Sequence, residues 1–371
     1  MTMKNLLGTT VSFAMLMSAT VATTAASAQT IDELYAAAKE EGMLTTIALP
    51  HDWCGYGGII ADFKAKYPGI EVNELNPDAG SADEIEAVKA NKDNKGPQAP
   101  DVLDVGLAFG PSAQAEGLLQ PHKVAVWESI PDGIKDADGH WYGAYYGVMG
   151  FAVNTDMVPN PPQDWADLLK PEYAGMVSLA GDPRASNQAI LAVLAAGMAM
   201  GGAPGEEAGQ KGLEFFKQLN DAGNFVPVIG KAGTLAQGTT PIVIAWDYNG
   251  LSWNNALAGN PPVEVVIPQS AALAGVYVQA VSAFAPQPNA GKLWMEHIFS
   301  DEGQLGYIRG GCQTARFGEL VAAGKVPQEM LDAMPPAEAY KNAYFPTLEE
   351  VDANKVAVTG GWDATVGANV E

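Results

Sequence analysis

Residues 141–154 read WYGAYYGVMGFAVN, an aromatic, β-forming run interrupted by glycines. That composition suits a long strand passing from one domain into another. Upstream, helix and strand alternate. IDELYAAAKEEG (31–42) carries apolar side chains at helical spacing and stops at Gly42. MLTTIALP (43–50) reads as a strand, and HDWCGYGG (51–58) as the loop beyond its carboxyl end. GGIIADFKAKYPG (57–69), ADEIEAVKANKD (82–93) and PSAQAEGLL (111–119) read as helices, with IEVNELNP (70–77) and DVLDVG (101–106) as strands. This βαβ grammar predicts an α/β fold with a mostly parallel sheet covered on both faces. Downstream a second α/β region follows: MVSLAG (176–181), the loop DPRAS (182–186), NQAILAVLAAGMAMG (187–201), GQKGLEFFKQLNDAG (209–223) and the strand IVIAW (242–246). GVYVQAVSAFAPQ (275–287) reads as a return crossing, followed by one amphipathic helix over 289–311 and a helical tail, QEMLDAMP. A chain that leaves one α/β unit, builds a second and returns gives two lobes on paired crossing strands, able to close on a ligand by hinge motion.

The 371 residues suit about two domains. Lys4, an apolar run and Ala26-Ser27-Ala28 form a secretory leader pattern, which predicts export and a mature start at Gln29. No other stretch approaches the ~20 apolar residues of a membrane span. The net charge of -23 repels nucleic acid and anionic lipid. Cys54 and Cys312 either pair, in a compartment that permits oxidation, or pack separately as small buried hydrophobes.

Motifs for catalysis are missing: there is no GxSxG elbow, phosphate loop or HExxH, and His51, His122, His140 and His297 lack metal-ligand spacing. No enzyme activity, cofactor or metal is expected. Loops after strands are where α/β units bind ligands. In His51-Asp52-Trp53-Cys54-Gly55-Tyr56 the glycines and aromatics suit close approach to a small molecule, or simply an ordinary glycine-rich loop. Asp104 ends a buried strand and either binds ligand or satisfies backbone amides. Arg184, with Ser186 and Asn187 at a helix start, suits an anion; the alternative is a structural Asp182–Arg184 ion pair. Asp247 between Trp246 and Tyr248 suits an ammonium, or an Asp-Tyr-Asn-Gly turn. Together these loops describe a two-pole cleft for a small zwitterion or polar cation.

ELYAAAKEEG, FKAKYPGIEV, DVLDVG, YYGVMGFAVNTDMV and PNAGKLWMEHIFSDEGQLGYIRGG resemble, over nearly the whole mature chain, periplasmic solute-binding proteins of ATP-binding cassette importers. The branch they resemble includes iron(III), polyamine, aminoethylphosphonate and γ-aminobutyrate binders. The resemblance implies a two-lobed type II (Venus flytrap) fold. It divides the chain into a leader (1–28), a first lobe (29–148 with 282–325) and a second (149–281 with 326–371). It also brings Cys312 toward Cys54 as a disulfide, and gives Trp246 and Asp247 the ligand amine. Iron binders use adjacent tyrosines; here the adjacent pair is Tyr145-Tyr146, with His51 as a third ligand in a rival metal reading. An exported enzyme of similar lobed fold is the other rival. Polyamine binders place carboxylates at both ends of the cleft, whereas here Arg184 would oppose a second ammonium. WDYNG, DPRASN and HDWCGYGG look most like γ-aminobutyrate binders. The expectation is a monomeric periplasmic receptor that serves an inner-membrane permease and binds an ω-amino acid. Asp247 would hold the amine between Trp246 and Tyr248, Arg184 with Ser186 and Asn187 the carboxylate, and His51, Asp52, Trp53, Tyr56 and Asp104 the opposite wall.

Overall fold

The computed structural model describes residues 30–334 and 337–371. The expected leader and its cleavage before Gln29 lie outside these residues. The first region runs α1 (Ile31–Glu41), β1 (Met43–Ile47), α2 (Tyr56–Lys66), β2 (Glu71–Leu75), α3 (Ser81–Ala90), β3 (Val102–Gly106), α4 (Phe109–Ala115) and β4 (Leu119–Gln120). β5 (Tyr142–Asn154) is followed by β6 (Val177–Leu179), α5 (Asn187–Ala199), α6 (Glu206–Asp221), α7 (Ala232–Ala236), β7 (Ile242–Trp246), α8 (Asp247–Ala256) and β8 (Val263–Val266). β9 (Ala274–Ser282) leads to α9 (Pro288–Phe299), α10 (Asp301–Arg309), β10 (Gln313–Thr314), α11 (Phe317–Ala322), α12 (Gln328–Ala333) and α13 (Leu348–Thr365).

Local chemistry accounts for the first helix. Thr30 and Glu33 form a reciprocal capping box, and Gly42, at φ 73°, closes the helix with its N–H on Ala38 O. The single helix expected over 289–311 breaks at Ser300, whose hydroxyl accepts from Gly303 N–H and starts α10.

β5 organises the sheet. Its first half pairs with β9 and its second with β7 and β8, giving the order β3-β9-β5-β7-β6. The sheet is mainly antiparallel, contrary to the parallel expectation; β6 with β7 and the separate β1–β2 pair are the parallel ladders among the named strands. The difference arises because β5 and β9 are long through-strands inserted between the βα units and running against their neighbours. β9, whose residues 275–281 were expected in the second lobe, pairs with β5, β3 and, at its end, β4. We propose a lobe division near residues 148 and 273, with α13 belonging to the second lobe through its packing on α5 and α6.

The core is continuous across both halves, with Phe63, Trp294 and Tyr307 in the first and Trp165, Phe216 and Trp362 in the second. α5 and α6 meet at backbone contact: a Cβ on Gly197 would lie 1.7 Å from Ala208 O. Cys54 and Cys312 are joined by a disulfide with Cα atoms 5.5 Å apart, tying the loop after β1 to the residue before β10. Among the described residues no helix is long and apolar enough to cross a membrane.

Candidate functional site

A cavity of about 280 Å³ lies between the two halves, bounded by the loops beyond β1, β2, β6 and β7 together with Asp104 of β3 and Tyr277 of β9. From the first half come Asp52, Trp53, Ser81, Glu84 and Asp104; from the second, Ser186, Asn187, Gln188, Asn249 and Trp253. The halves touch around it. Ala82 N–H donates to Ala185 O at 3.3 Å, Ser252 Oγ to Asp52 O at 2.8 Å, and Lys231 Nζ meets Asp78 at 2.8 Å. A Cβ on Gly106 would lie 2.0 Å from Asn187 Cγ, so the Asn187 amide of α5 packs directly on the bare backbone of β3. These contacts describe a closed cleft.

Buried acids and aromatics build the wall from the first half. β9 occupies one edge of β3; on the other, Glu84 accepts from Asp104 N–H (2.9 Å) and Ser81 from Gly106 N–H (3.1 Å). First-turn side chains of α3 thus replace a missing neighbour strand. Asp104 accepts from Tyr145 OH (2.6 Å), Gln279 Nε2 (2.6 Å) and Tyr56 OH (3.0 Å), while Trp53 Nε1 donates to Tyr145 OH (2.8 Å). Burial pushes the Asp104 carboxyl up to about 7 against the opposing effect of those three donors, and pushes Glu84 well above the usual carboxylate range. Trp53, Tyr277 and Tyr145 meet in edge and stacked contacts with ring centroids 5.3–5.5 Å apart. An acid beside such rings is chemistry for an ammonium group.

The wall from the second half is amide-rich. Ser186 occupies the N-cap of α5 without capping it through its side chain, and lines the cavity. Asn187 Nδ2, both polar side-chain atoms of Gln188, and Asn249 Oδ1 are buried with no protein partner. Buried polar groups rarely go unpaired in a folded chain, and three residues facing one cavity mark a place built to meet polar atoms.

Several expected site residues lie elsewhere. Arg184 does not line the cavity: its Nε holds Asp182 (2.9 and 3.0 Å), and its remaining nitrogens reach Asp363 (3.3 Å) and Asn369 (2.9 Å). The side chain is turned outward to the residues at and beyond the end of α13, so the ion-pair alternative describes it. Asp247 is also outside the cavity lining, buried and bonded to Val148 N–H (2.9 Å) and Tyr340 OH (2.6 Å). It begins α8 rather than a turn. Gly250, read as half of a turn signal, sits inside that helix, where a Cβ would lie 2.6 Å from Val265 Cγ2. Trp246 and Tyr248 are buried behind the wall: Trp246 Nε1 donates to Tyr277 OH (3.3 Å), and the Tyr248 ring lies 5.4 Å from Trp53. Tyr56 is likewise behind Asp104. His51 points away to Glu74 at 2.7 Å and is exposed.

The rival metal set does not assemble. His51 faces Glu74, Tyr145 serves Asp104 and Tyr146 OH donates to Gln313. Among the described residues no cluster of three metal-ligating acids, histidines or cysteines occurs. Glu84, Gln188, Asn249 and Trp253 line the cavity without a binding signal in the sequence. Glu84 and Gln188 lie within helix patterns, and a polar residue one turn inside a helix looks like a solvated face until the fold turns that end into a cleft; Asn249 reads as a turn residue, and Trp253 follows it in the same unread helix.

Residues 98–312 match the family described as bacterial extracellular solute-binding protein, more than half of the sequence, and the chain belongs to that family. It is accordingly a binding protein rather than an enzyme. A "Probable ABC transporter periplasmic-binding protein" of Sinorhizobium fredii is 32% identical over 124 residues, a match spanning 32% of each chain. Among solved structures, AfuA of Actinobacillus pleuropneumoniae, with fructose-6-phosphate bound, is similar at TM-score 0.66 and 19% identity, covering 88% of this chain and 99% of that one. AgtB of A. tumefaciens, in complex with agropinic acid, gives 0.68 and 18% over the same shares. Iron-bound HitA of Pseudomonas aeruginosa gives 0.63 and 16%, again over 88% and 99%. The likeness shows the two-lobed type II periplasmic binding protein fold.

Proposed function

We propose that this chain is the periplasmic receptor of an ATP-binding cassette importer, exported by cleavage before Gln29, and that it closes its two lobes on a small amine-bearing solute. One observation carries the reading: a single interlobe cavity combines a buried acid–aromatic wall with buried, unpartnered amides opposite. At about 280 Å³ it falls near the lower bound of ~300 Å³ for small-molecule sites, which suits a short solute. The ammonium would sit against Trp53, Tyr277 and Asp104. An oxygen-bearing end would take the Ser186 hydroxyl, Asn187 Nδ2 and the first-turn amides of α5.

An ω-amino acid such as γ-aminobutyrate fits these two poles, its carboxylate resting on the helix terminus instead of on Arg184. A diamine such as putrescine is the second reading. It is favoured by the excess of acids on the cavity wall, where Asp52, Asp78, Asp83, Glu84, Asp104 and Asp182 meet Lys231 as the one cation among the lining residues.

A thermal-shift series over γ-aminobutyrate, putrescine, spermidine, 2-aminoethylphosphonate and fructose-6-phosphate tests the class. A solute at 100-fold excess over its dissociation constant adds about 2.7 kcal/mol. An amine should raise the midpoint of the wild type and not of Asp104→Asn. A shift with the sugar phosphate and with none of the amines would overturn the reading.

A further inference from the structure

β5 is covered unequally where it passes between the halves. On one edge β9 reaches the junction, with Val148 opposite Ala274 and Met149 N–H donating to Leu273 O at 2.8 Å. On the other edge β10 pairs at Tyr145 and Tyr146, and β7 starts at Met149, opposite Trp246. Val148 therefore presents its N–H to a gap between two partner strands. β7 could have filled that gap by one more residue, but the chain turns there into α8. The residue at the turn is Asp247, and its side chain supplies what the backbone no longer does: Oδ1 accepts Val148 N–H at 2.9 Å. Tyr340 OH donates to Oδ2 at 2.6 Å, from the segment that runs back past the junction, where Tyr344 N–H donates to Ala272 O and Ala274 N–H to Tyr344 O, both at 2.8 Å. Three chain passages thus meet here, and Asp247 bonds two of them. Gly147 permits the arrangement, because a Cβ there would lie 2.4 Å from the Tyr248 ring and 3.1 Å from Asp247 Oδ1.

We propose that Asp247 is the positioning residue of the hinge: its carboxylate stands in for the absent strand where β5 changes lobes, and so sets how far the lobes close on a solute it does not touch. The inference rests on the cleft being the solute site, but its physical content is in the hinge. Losing a buried charge-assisted acceptor leaves Val148 N–H unpaired at the point of bending. The cleft contacts themselves are unchanged.

The test compares Asp247→Ala, which removes both bonds, with Asp247→Asn, which keeps an oxygen for Val148 N–H, and Tyr340→Phe, which leaves the carboxylate on Val148 alone. Amide exchange over β5 and small-angle scattering read the hinge without a solute; calorimetry with γ-aminobutyrate and putrescine reads binding. Asp247→Ala should speed exchange at Val148 about tenfold and weaken binding to a similar degree, with Asp247→Asn within about threefold of wild type. Tyr340→Phe should loosen the closed form in scattering while keeping Val148 protected. Unchanged exchange and scattering in Asp247→Ala would overturn the proposal. Equal loss of binding in the Asn and Ala variants with Val148 still protected in both would also overturn it, since that result means a direct ionic contact with the solute. Should Asp247→Ala not fold, wild-type scattering in Tyr340→Phe counts against it. If neither solute binds any form, the cleft reading fails while exchange and scattering still decide the hinge.

Discussion

Buried carboxylates in this protein repeatedly take the place of a backbone partner. Asp101 accepts Thr45 N–H at 2.7 Å and Gln287 N–H at 2.8 Å; Glu84 accepts Asp104 N–H; Asp247 accepts Val148 N–H. Each is buried enough that desolvation outweighs the hydrogen bonds, pushing Asp101 and Asp104 up to about 7, Asp247 up to about 6 and Glu84 in the same direction. The stability consequence has a definite sign. A carboxyl with a folded-state pKa above its unfolded value of about 4 binds its extra proton in the fold, so raising the pH between the two values removes stability. The unliganded protein should therefore melt higher near about pH 6 than near about pH 8. High salt should leave most of that difference in place, because it screens the surface charge but not the buried groups. A midpoint that rises with pH across this interval would contradict these protonation states.

Elements with their own local signals could be read from the sequence. α1 carries its capping box and Gly42; β7 is five buried apolar residues. α8 was hidden because Asn249-Gly250 has the chemistry of a turn, while the role of Gly250 is to let α8 lie against β8, a tertiary reason with no local mark. α13 and the division into α9 and α10 went unread for a similar reason: burial against other elements, or one serine, decides them. The site divides along the same line. Trp53, Ser186 and Asn187 follow strand ends and can be found by that rule; Asp104, read as ending its strand, sits in the middle of β3, and the sequence does not say which way Arg184 and Asp247 point. The junction of β3 with α5 offers a test of closure. Ala at 106 would place a methyl group 2.0 Å from Asn187 Cγ, a clash that exists when the lobes are together. Gly106→Ala should weaken solute binding by about tenfold or more, which is ~1.4 kcal/mol, with little change in the melting of the free protein. Lost stability with unchanged affinity would mean that the residue serves the first lobe alone.

For the molecule as a whole, closure is held by contacts of unequal weight. The Lys231–Asp78 pair bridges the halves at 2.8 Å, but its side chains are 50% and 74% exposed. Exposed ion pairs are worth about 0–1 kcal/mol, so Lys231→Ala should change affinity by less than about fivefold, in a salt-dependent way. A much larger loss would place Lys231 on the solute.

α13 also bears on the order in which the protein assembles. Val351, Val358 and Trp362 are fully buried, and Asn354 Nδ2 donates to Ile190 O at 3.1 Å. The second lobe, whose first strand begins before residue 150, thus stays one wall short until residues beyond 350 have joined it. A ribosome that has made three quarters of the chain has made a first lobe still lacking its disulfide partner and a second with an open flank. Vectorial synthesis therefore completes neither half early: the first waits for Cys312 and the second for the α13 wall.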